Sequence, residues 1–221
     1  MHRIFVGYDS REDIAYRVLK YSLEQHASEP LDIRPLVLRE LDFPRPLDPL
    51  QSTEFTYTRF LVPHLCGFEG TALFMDCDML AVGDIAEIFH LDLRDYALRV
   101  YKHDHRPTAA IKMDGKPQTQ YPRKNWSSFM LMNCGRLTAW SKEAVLTQPA
   151  RWLHRFEPIP DEQIGDIPEG WNVLDHYDAG TKLIHYTEGG PWFDRYKAHP
   201  YGDVWMRAYQ HYCSEAALQS A

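Results

Sequence analysis

Several features that would classify a chain quickly are missing from this one. Its four cysteines, Cys66, Cys77, Cys134 and Cys213, have no paired spacing, which fits neither a disulfide framework nor a structural zinc site and predicts reduced thiols. No apolar run approaches the ~20 residues that span a bilayer. The opening Met1-His2-Arg3-Ile4-Phe5-Val6 reads as a strand and lacks the apolar core of a signal peptide, so a soluble, cytoplasmic protein is expected. No Lys/Arg block is long enough to track phosphates, and a net charge of -7 opposes a nucleic-acid surface. Internal repeats and low-complexity tracts are absent as well. The 221 residues suit one α/β domain, 1–221.

What the chain does have is an alternation of apolar strands and amphipathic helices. The pattern predicts strands over 4–8, 31–38, 71–75, 96–101, 129–133 and 182–186. A helix is expected over 11–26, with Ile14, Val18, Leu19 and Tyr21 or Leu23 inward, and a closing helix over 204–218. A loop carrying Pro44, Pro46 and Pro49 leads to a helical segment over 56–66, where Phe60 and Leu61 face inward and Tyr57 and Arg59 face a cleft. A short helix follows Gly83-Asp84, a long loop over 102–126 is rich in His, Lys, Arg, Gly and Pro, and helical pieces over 135–152 break at Pro149. Such alternation predicts an open, mostly parallel twisted sheet flanked by helices, with its site at the strand ends.

The strongest chemical signal is Asp76-Cys77-Asp78 at the end of the apolar run Ala72-Leu73-Phe74-Met75. Alternation along an extended chain sends Asp76 and Asp78 the same way and Cys77 the other. Two adjacent carboxylates repel, and a hard divalent ion removes the repulsion; oxygen ligands suit magnesium, manganese or calcium better than zinc. A second constellation, His185-Tyr186-Thr187-Glu188-Gly189-Gly190-Pro191-Trp192, also ends a strand. His185 is either a satisfied structural histidine or a neutral imidazole that completes a site with Asp76 and Asp78, which leans the choice toward manganese. Gly189 and Gly190 either let backbone N–H groups approach an anion or simply form a tight turn.

Taken in order, Asp76-Cys77-Asp78 on its strand, Tyr57-Thr58-Arg59-Phe60-Leu61 before it and His185-Tyr186-Thr187 near the end resemble the metal-dependent glycosyltransferases of the glycogenin and galactosyltransferase type, family 8 or a close bacterial relative. The resemblance implies a GT-A fold, a single Rossmann-like nucleotide-sugar domain, and transfer of a hexose from a UDP-sugar with retention, using Mn²⁺ or Mg²⁺. It implies that Val6, Gly7, Tyr8 and Asp9 line the nucleoside pocket, that Arg59 faces the diphosphate or sugar, and that Asp76, Asp78 and His185 hold the metal, with Cys77 between the acids. It sets Asn125-Trp126-Ser127-Ser128 against the donor sugar and Glu162-Gln163 beside the anomeric carbon, with Gln163 supporting front-face substitution or Glu162 acting as nucleophile or base. Each has a plain structural alternative: Tyr8 and Trp126 as core aromatics, Asp9 as a helix cap, Arg59 in an ion pair, Glu162-Gln163 as a solvated helix start.

One departure stands out, because Gly190 occupies the place where relatives carry a diphosphate-contacting lysine. Lys102, Arg106, Lys112, Lys116, Arg123, Lys124, Arg195 and Lys197 are the candidate replacements. The acceptor is a small molecule, a glycan or a lipid-linked sugar, and Tyr196, Tyr201, Trp205, Tyr209 and Tyr212 offer either a stacking platform or packing. Two other readings share the acid triplet. A haloacid-dehalogenase-type phosphohydrolase also ends a strand in Asp-X-Asp, but expects Thr or Val where Leu80 stands and usually uses its first strand. A non-catalytic nucleotide-sugar binder would keep the pocket without turnover. Nucleotidyltransferases want a glycine-rich, lysine-bearing loop after the first strand, which Asp9-Ser10-Arg11-Glu12-Asp13 does not match.

Overall fold

The computed structural model describes residues 1–46, 48, 51–103, 111–112, 116–117 and 123–219. β1 (His2–Gly7) passes through a 3₁₀ turn at Ser10–Glu12 into α1 (Asp13–His26), and β2 (Leu31–Leu36) returns parallel to β1. Then come α2 (Val62–Leu65), β3 (Thr71–Asp76), β4 (Met79–Ala81), α3 (Ala86–Phe89) and β5 (Leu98–Val100). A two-residue pair, β6 (Ile111–Lys112) and β7 (Lys116–Pro117), precedes β8 (Phe129–Asn133), α4 (Lys142–Thr147) and α5 (Ala150–His154). β9 (Ile164–Asp166), β10 (Val173–Leu174), β11 (Leu183–His185) and α6 (Gly202–Gln219) complete the order.

Six strands form the main sheet in the order β2-β1-β3-β8-β5-β9. β1 runs parallel to β2 and β3, and β5 parallel to β9, while β8 alone runs against both its neighbours. Leu73, Phe74 and Met75 of β3 and Phe129 to Met132 of β8 are fully buried, as strands covered on both faces must be. A smaller sheet, β10-β11-β4, joins the main one where the chain passes from β3 to β4. α1 buries Ala15, Val18, Leu19, Ser22 and Leu23 at helical spacing, and Ser22 Oγ accepts from the Ala81 N–H at 3.1 Å, tying the helix to β4. α6 packs on α1, with Tyr212 edge-on to Tyr21 at 6.0 Å.

Most expected elements are present with shorter bounds. The segment expected as one helix over 56–66 is a 3₁₀ turn at Thr58–Leu61 followed by α2, with Pro63 in the first turn of α2. Proline has no N–H to bond back into the preceding turn, so a continuous α-helix cannot run through it. β4, β9 and β10 were not foreseen; at two or three residues each they are too short for a period to register. All four cysteines are free thiols. Among the described residues no helix is long and apolar enough to cross a membrane. Pro49 and Arg106 lie outside the described residues, and only the backbone of Lys112 and Lys116 is described.

Gly7 shows how tightly the head of the sheet is packed, because a Cβ there would lie 2.3 Å from the Phe55 ring. Phe55 is itself buried and leans on Phe74, with ring centres 6.5 Å apart. Gly7→Ala is therefore expected to cost about 1–3 kcal/mol by urea unfolding; an unchanged midpoint would mean that Phe55 moves aside freely.

Candidate active site

The site forms where the two sheets meet. β3 ends at Asp76, and the chain bends at Cys77 and Asp78 before β4 starts in the second sheet. This bend replaces the straight alternation expected through the triplet, yet the outcome for the side chains is the same: Cys77 turns into the core and the two carboxylates converge. β4 pairs antiparallel with β11 so that Met79 lies opposite His185, and the Tyr186 N–H donates to the Asp78 carbonyl at 2.9 Å. That register carries residue 185 to the side of residue 78. One ligand atom from each of Asp76, Asp78 and His185 lies within 4.8 Å of the others, and all three residues are buried. Ligands ~2.1 Å from a common ion stand at most ~4.2 Å apart, so small side-chain shifts close this set on a cation.

Hydrogen bonding behind His185 tests whether the imidazole presents the right nitrogen. The Ser128 hydroxyl donates to the Asn125 carbonyl at 2.6 Å, so Ser128 Oγ is free to accept from Asn172 Nδ2 at 3.0 Å. Asn172 Oδ1 is thereby the acceptor facing His185 Nδ1 at 2.7 Å, and Nδ1 carries a hydrogen. The other nitrogen, Nε2, faces Asp78 Oδ1 at 3.2 Å, and that buried oxygen has no aligned hydrogen-bond donor among the described residues. Such a pair is satisfied by a proton or a cation between them, so the residues fit a divalent ion. Burial on its own pushes the His185 imidazole down, but Asp78 beside it, with Asp76 and Asp175 nearby, outweighs burial and holds it above its ordinary value.

Arg59 is the cation next to the acids. Its Nη1 lies 3.0 Å from Asp76 Oδ1 and donates to the Ser127 carbonyl at 2.8 Å, while the guanidinium sits 5.1 and 5.2 Å from the ring centres of Phe55 and Phe74. Arg59 Nε is buried and donates to nothing among the described residues. Val6 and Gly7 pair with Met75 and Asp76, so the end of β1 adjoins the acids as expected. Tyr8, half-buried, donates to Asp13 at 2.8 Å and meets Tyr16 edge-on.

Other expected residues have structural duties. Asp9 is fully buried and accepts from Arg11 Nε at 2.9 Å, Arg11 Nη2 at 2.7 Å, the Arg11 N–H and the Glu54 N–H, so it is the cap of the first turn and not an open acceptor for a base or ribose. Burial opposes its ionisation, but these donors prevail and hold its carboxyl below the usual range. Asn125 adopts a left-handed φ of 65°, Trp126 Nε1 donates to the His103 carbonyl at 3.1 Å, and Ser127 Oγ bonds His154 Nδ1 at 2.9 Å. The Ser127 and Ser128 hydroxyls are thus spent within the protein. Gly189, at φ 115°, donates its N–H to Tyr186 O, and a Cβ on Gly190 would lie 2.0 Å from the Trp192 ring. Trp205 and Tyr209 stack on each other at 5.4 Å in α6, which makes these two packing rather than a platform.

The structure does not bring Glu162 and Gln163 to the acids. Ile164 pairs with Leu98, Leu98 with Met132, and Met132 with Ala72. Gln163, one residue earlier, is thus level with Thr71 at the start of β3, while Asp76 stands at its end. Two strands, β8 and β5, also intervene. The resemblance set the pair beside the anomeric carbon, but the parallel register of β9 fixes it at the other edge of the sheet, in an unburied 3₁₀ turn that fits the alternative of a solvated helix start. Of the candidate basic residues, Lys102 pairs with Asp166 at 3.0 Å, Arg123 with Asp161 at 2.5 Å and Lys197 with Asp194 at 2.5 Å. Sequence reasoning missed Asn172 and Glu12. Asn172 follows Trp171 with a left-handed φ of 55° and offers no motif. Glu12 is buried and accepts from Trp192 Nε1 at 3.2 Å; burial, with Asp78 and Asp9 near, pushes its carboxyl well up.

No protein-family model matches the chain. Protein CDI of Arabidopsis thaliana is 43% identical over 227 residues, which cover 96% of this chain and 88% of that protein. The chain belongs to the Protein CDI family. Among solved structures, the bifunctional glycosyltransferase WbbM aligns with a TM-score of 0.64 at 13% identity over 94% of this chain. The glycosyltransferase GlyE of Streptococcus pneumoniae gives 0.61 at 15% identity over 99% of it. The chain spans about half of WbbM (49%) and 64% of GlyE. The galactosyltransferase LgtC, solved with donor and acceptor sugar analogues, gives 0.59 at 13% identity and 95% of both chains. The fold of this Protein CDI relative is that of the GT-A glycosyltransferases.

Two outcomes follow from the His185 surroundings. Because the folded imidazole titrates above its unfolded value, its contribution to stability is complete below about pH 6.5 and is lost as pH rises through the folded value. In chelator, the gap in melting temperature between the wild type and His185→Gln is expected to be widest near pH 6 and to narrow on the alkaline side; a constant gap would remove the ion pair. Asn172→Ala, which leaves Nδ1 without its acceptor, is expected to weaken Mn²⁺ binding roughly 10- to 100-fold by calorimetry. Asn172→Asp, which keeps both the acceptor and tolerance of the left-handed backbone, is expected to bind within a few-fold of the wild type; equal losses would assign Asn172 to packing alone.

Proposed function

We propose that this chain is a hexosyltransferase, of the class that moves a sugar from a nucleotide sugar to an acceptor hydroxyl, acting in the cytoplasm as a single domain. We infer a UDP-sugar donor, a divalent cation, Mn²⁺ or Mg²⁺, held by Asp76, Asp78 and His185, and retention of anomeric configuration. The observation that carries the reading is the convergence of these three side chains at the carboxyl edge of a GT-A sheet, where open α/β sheets bind ligands.

The chemistry follows from charge. As the bond from the anomeric carbon to phosphate breaks, negative charge grows on the diphosphate. A cation held by the two acids and the imidazole would neutralise that charge more in the transition state than in the ground state. Arg59 contributes a permanent positive charge at the same edge and has a spare buried N–H. Val6, Gly7 and Tyr8 bound the nucleoside side. Trp192 shapes the turn through Gly189 and Gly190, where the Gly190 N–H is the candidate to meet a phosphate oxygen. With Glu162 and Gln163 at the far edge of the sheet, neither is a covalent nucleophile in this reading. Retention then proceeds on one face of the sugar, the acceptor oxygen entering as the diphosphate leaves and the departing phosphate oxygen taking the acceptor's proton.

The test is UDP release from a panel of UDP-sugars, with Mn²⁺ and with chelator, scored beside NMR of any product. Release that needs metal, falls at least 100-fold in Asp78→Asn and yields the donor's own anomer is expected. Turnover of a phosphomonoester instead would place the chain with the haloacid-dehalogenase-type phosphohydrolases, and UDP-sugar binding without turnover would make it a sugar-nucleotide binder.

A further inference from the structure

At the end of β1 remote from Asp76, three side chains from separate segments face one another. His2 opens β1, Glu29 lies in the link between α1 and β2, and His90 follows α3. His2 Nε2 is 3.0 Å from Glu29 Oε2, and His90 Nε2 is 2.7 Å from Glu29 Oε1. One ligand atom from each lies within 4.8 Å of the other two.

Each residue is positioned by contacts outside the trio. The His2 ring stacks on Phe89 with centres 4.1 Å apart and planes 15° apart, and the His2 N–H donates to the Pro30 carbonyl at 2.9 Å. Asp84 Oδ1 accepts from the Ser28 N–H at 3.1 Å and from the Ala86 N–H at 3.0 Å, so the segment carrying Glu29 is tied to the start of the helix that His90 follows. The Glu29 carboxylate uses both oxygens on imidazole nitrogens, and these are the nitrogens that would bind an ion. A cation seated among them replaces two N–H hydrogens, which move to Nδ1 or to solvent, and forms two nitrogen bonds and one oxygen bond.

We propose that His2, Glu29 and His90 form a second cation site, selective for a borderline divalent ion, with zinc the fitting choice. Two imidazoles and one carboxylate, with a fourth position left to water, make a zinc-type set, whereas the Asp76, Asp78 and His185 set is richer in hard oxygen. His90 is 65% exposed and Glu29 41%, which leaves room for that water and lets the ion exchange. The ion joins β1, the α1–β2 link and the end of α3, segments far apart in the chain, and so it stabilises the folded form by binding that form alone. This site serves stability rather than transfer.

The experiment is a titration of the metal-free full chain with Zn²⁺, and separately with Mn²⁺, by calorimetry and thermal melting. Wild type is expected to bind one more Zn²⁺ per chain than either His2→Gln or His90→Gln, and to gain several degrees on zinc addition that both variants lack. Mn²⁺ binding and any UDP-dependent melting shift should be the same in all three. Loss of that one zinc in the variants supports the site whether or not Asp76, Asp78 and His185 bind metal, so failure of the functional reading is separable. Equal zinc stoichiometry and equal melting gain in wild type and both variants would overturn it, and the exposure of His90 means that His90→Gln should fold.

Discussion

Burying two carboxylates side by side is costly unless positive charge is supplied, and the arrangement at the end of β3 is organised around that cost. Asp76 is met by Arg59 and Asp78 by His185, one partner arriving from the turn before β3 and the other from a strand more than a hundred residues later. Both partners are fixed from behind, Arg59 by the Ser127 carbonyl and two aromatic rings, His185 by Asn172. The acids are held close in advance of any ligand.

Ser127 and Ser128 connect the two halves of this support. The Ser127 carbonyl holds Arg59, while the Ser128 hydroxyl receives Asn172 and passes the polarity on to Asn125. A short turn before β8 therefore orients the guanidinium on one side of the acids and the imidazole on the other. β8 runs against its neighbours, so its first residues, not its last, lie at the edge where β3 ends: Phe129 pairs with Met75. Had β8 been parallel, this turn would have stood at the opposite edge of the sheet.

Much of the main sheet was legible because its inner strands are apolar on both faces and long enough to carry a pattern; the stretch over 129–133 coincides with β8. The acid triplet and His185 were legible as ligand chemistry at strand ends. What escaped has clear causes. β4 and β11 pair through three residues, which no period marks, yet that pairing brings His185 to Asp78. Asn172 looked like any loop residue, since its role depends on a carbonyl oxygen aimed at a ring 13 positions away. Asp9 was readable either as a pocket residue or as a helix cap, and the side chain of Arg11 folding back on it, which decides for the cap, has no signature in sequence. Glu162 and Gln163 were misplaced because a resemblance between short motifs does not reveal strand register.

Glu12, beside the first strand, and Trp192, ten residues short of α6, are joined by the indole N–H, with Asp78 close to that same carboxyl. Two segments 180 residues apart in the chain thus meet beside the same acid. During synthesis, a nascent chain that has released β1, α1 and β3 from the ribosome still lacks the imidazole and the indole, so the surroundings of Asp78 are completed only once residues 185 and 192 have emerged. Until then Asp78 stands without its imidazole partner.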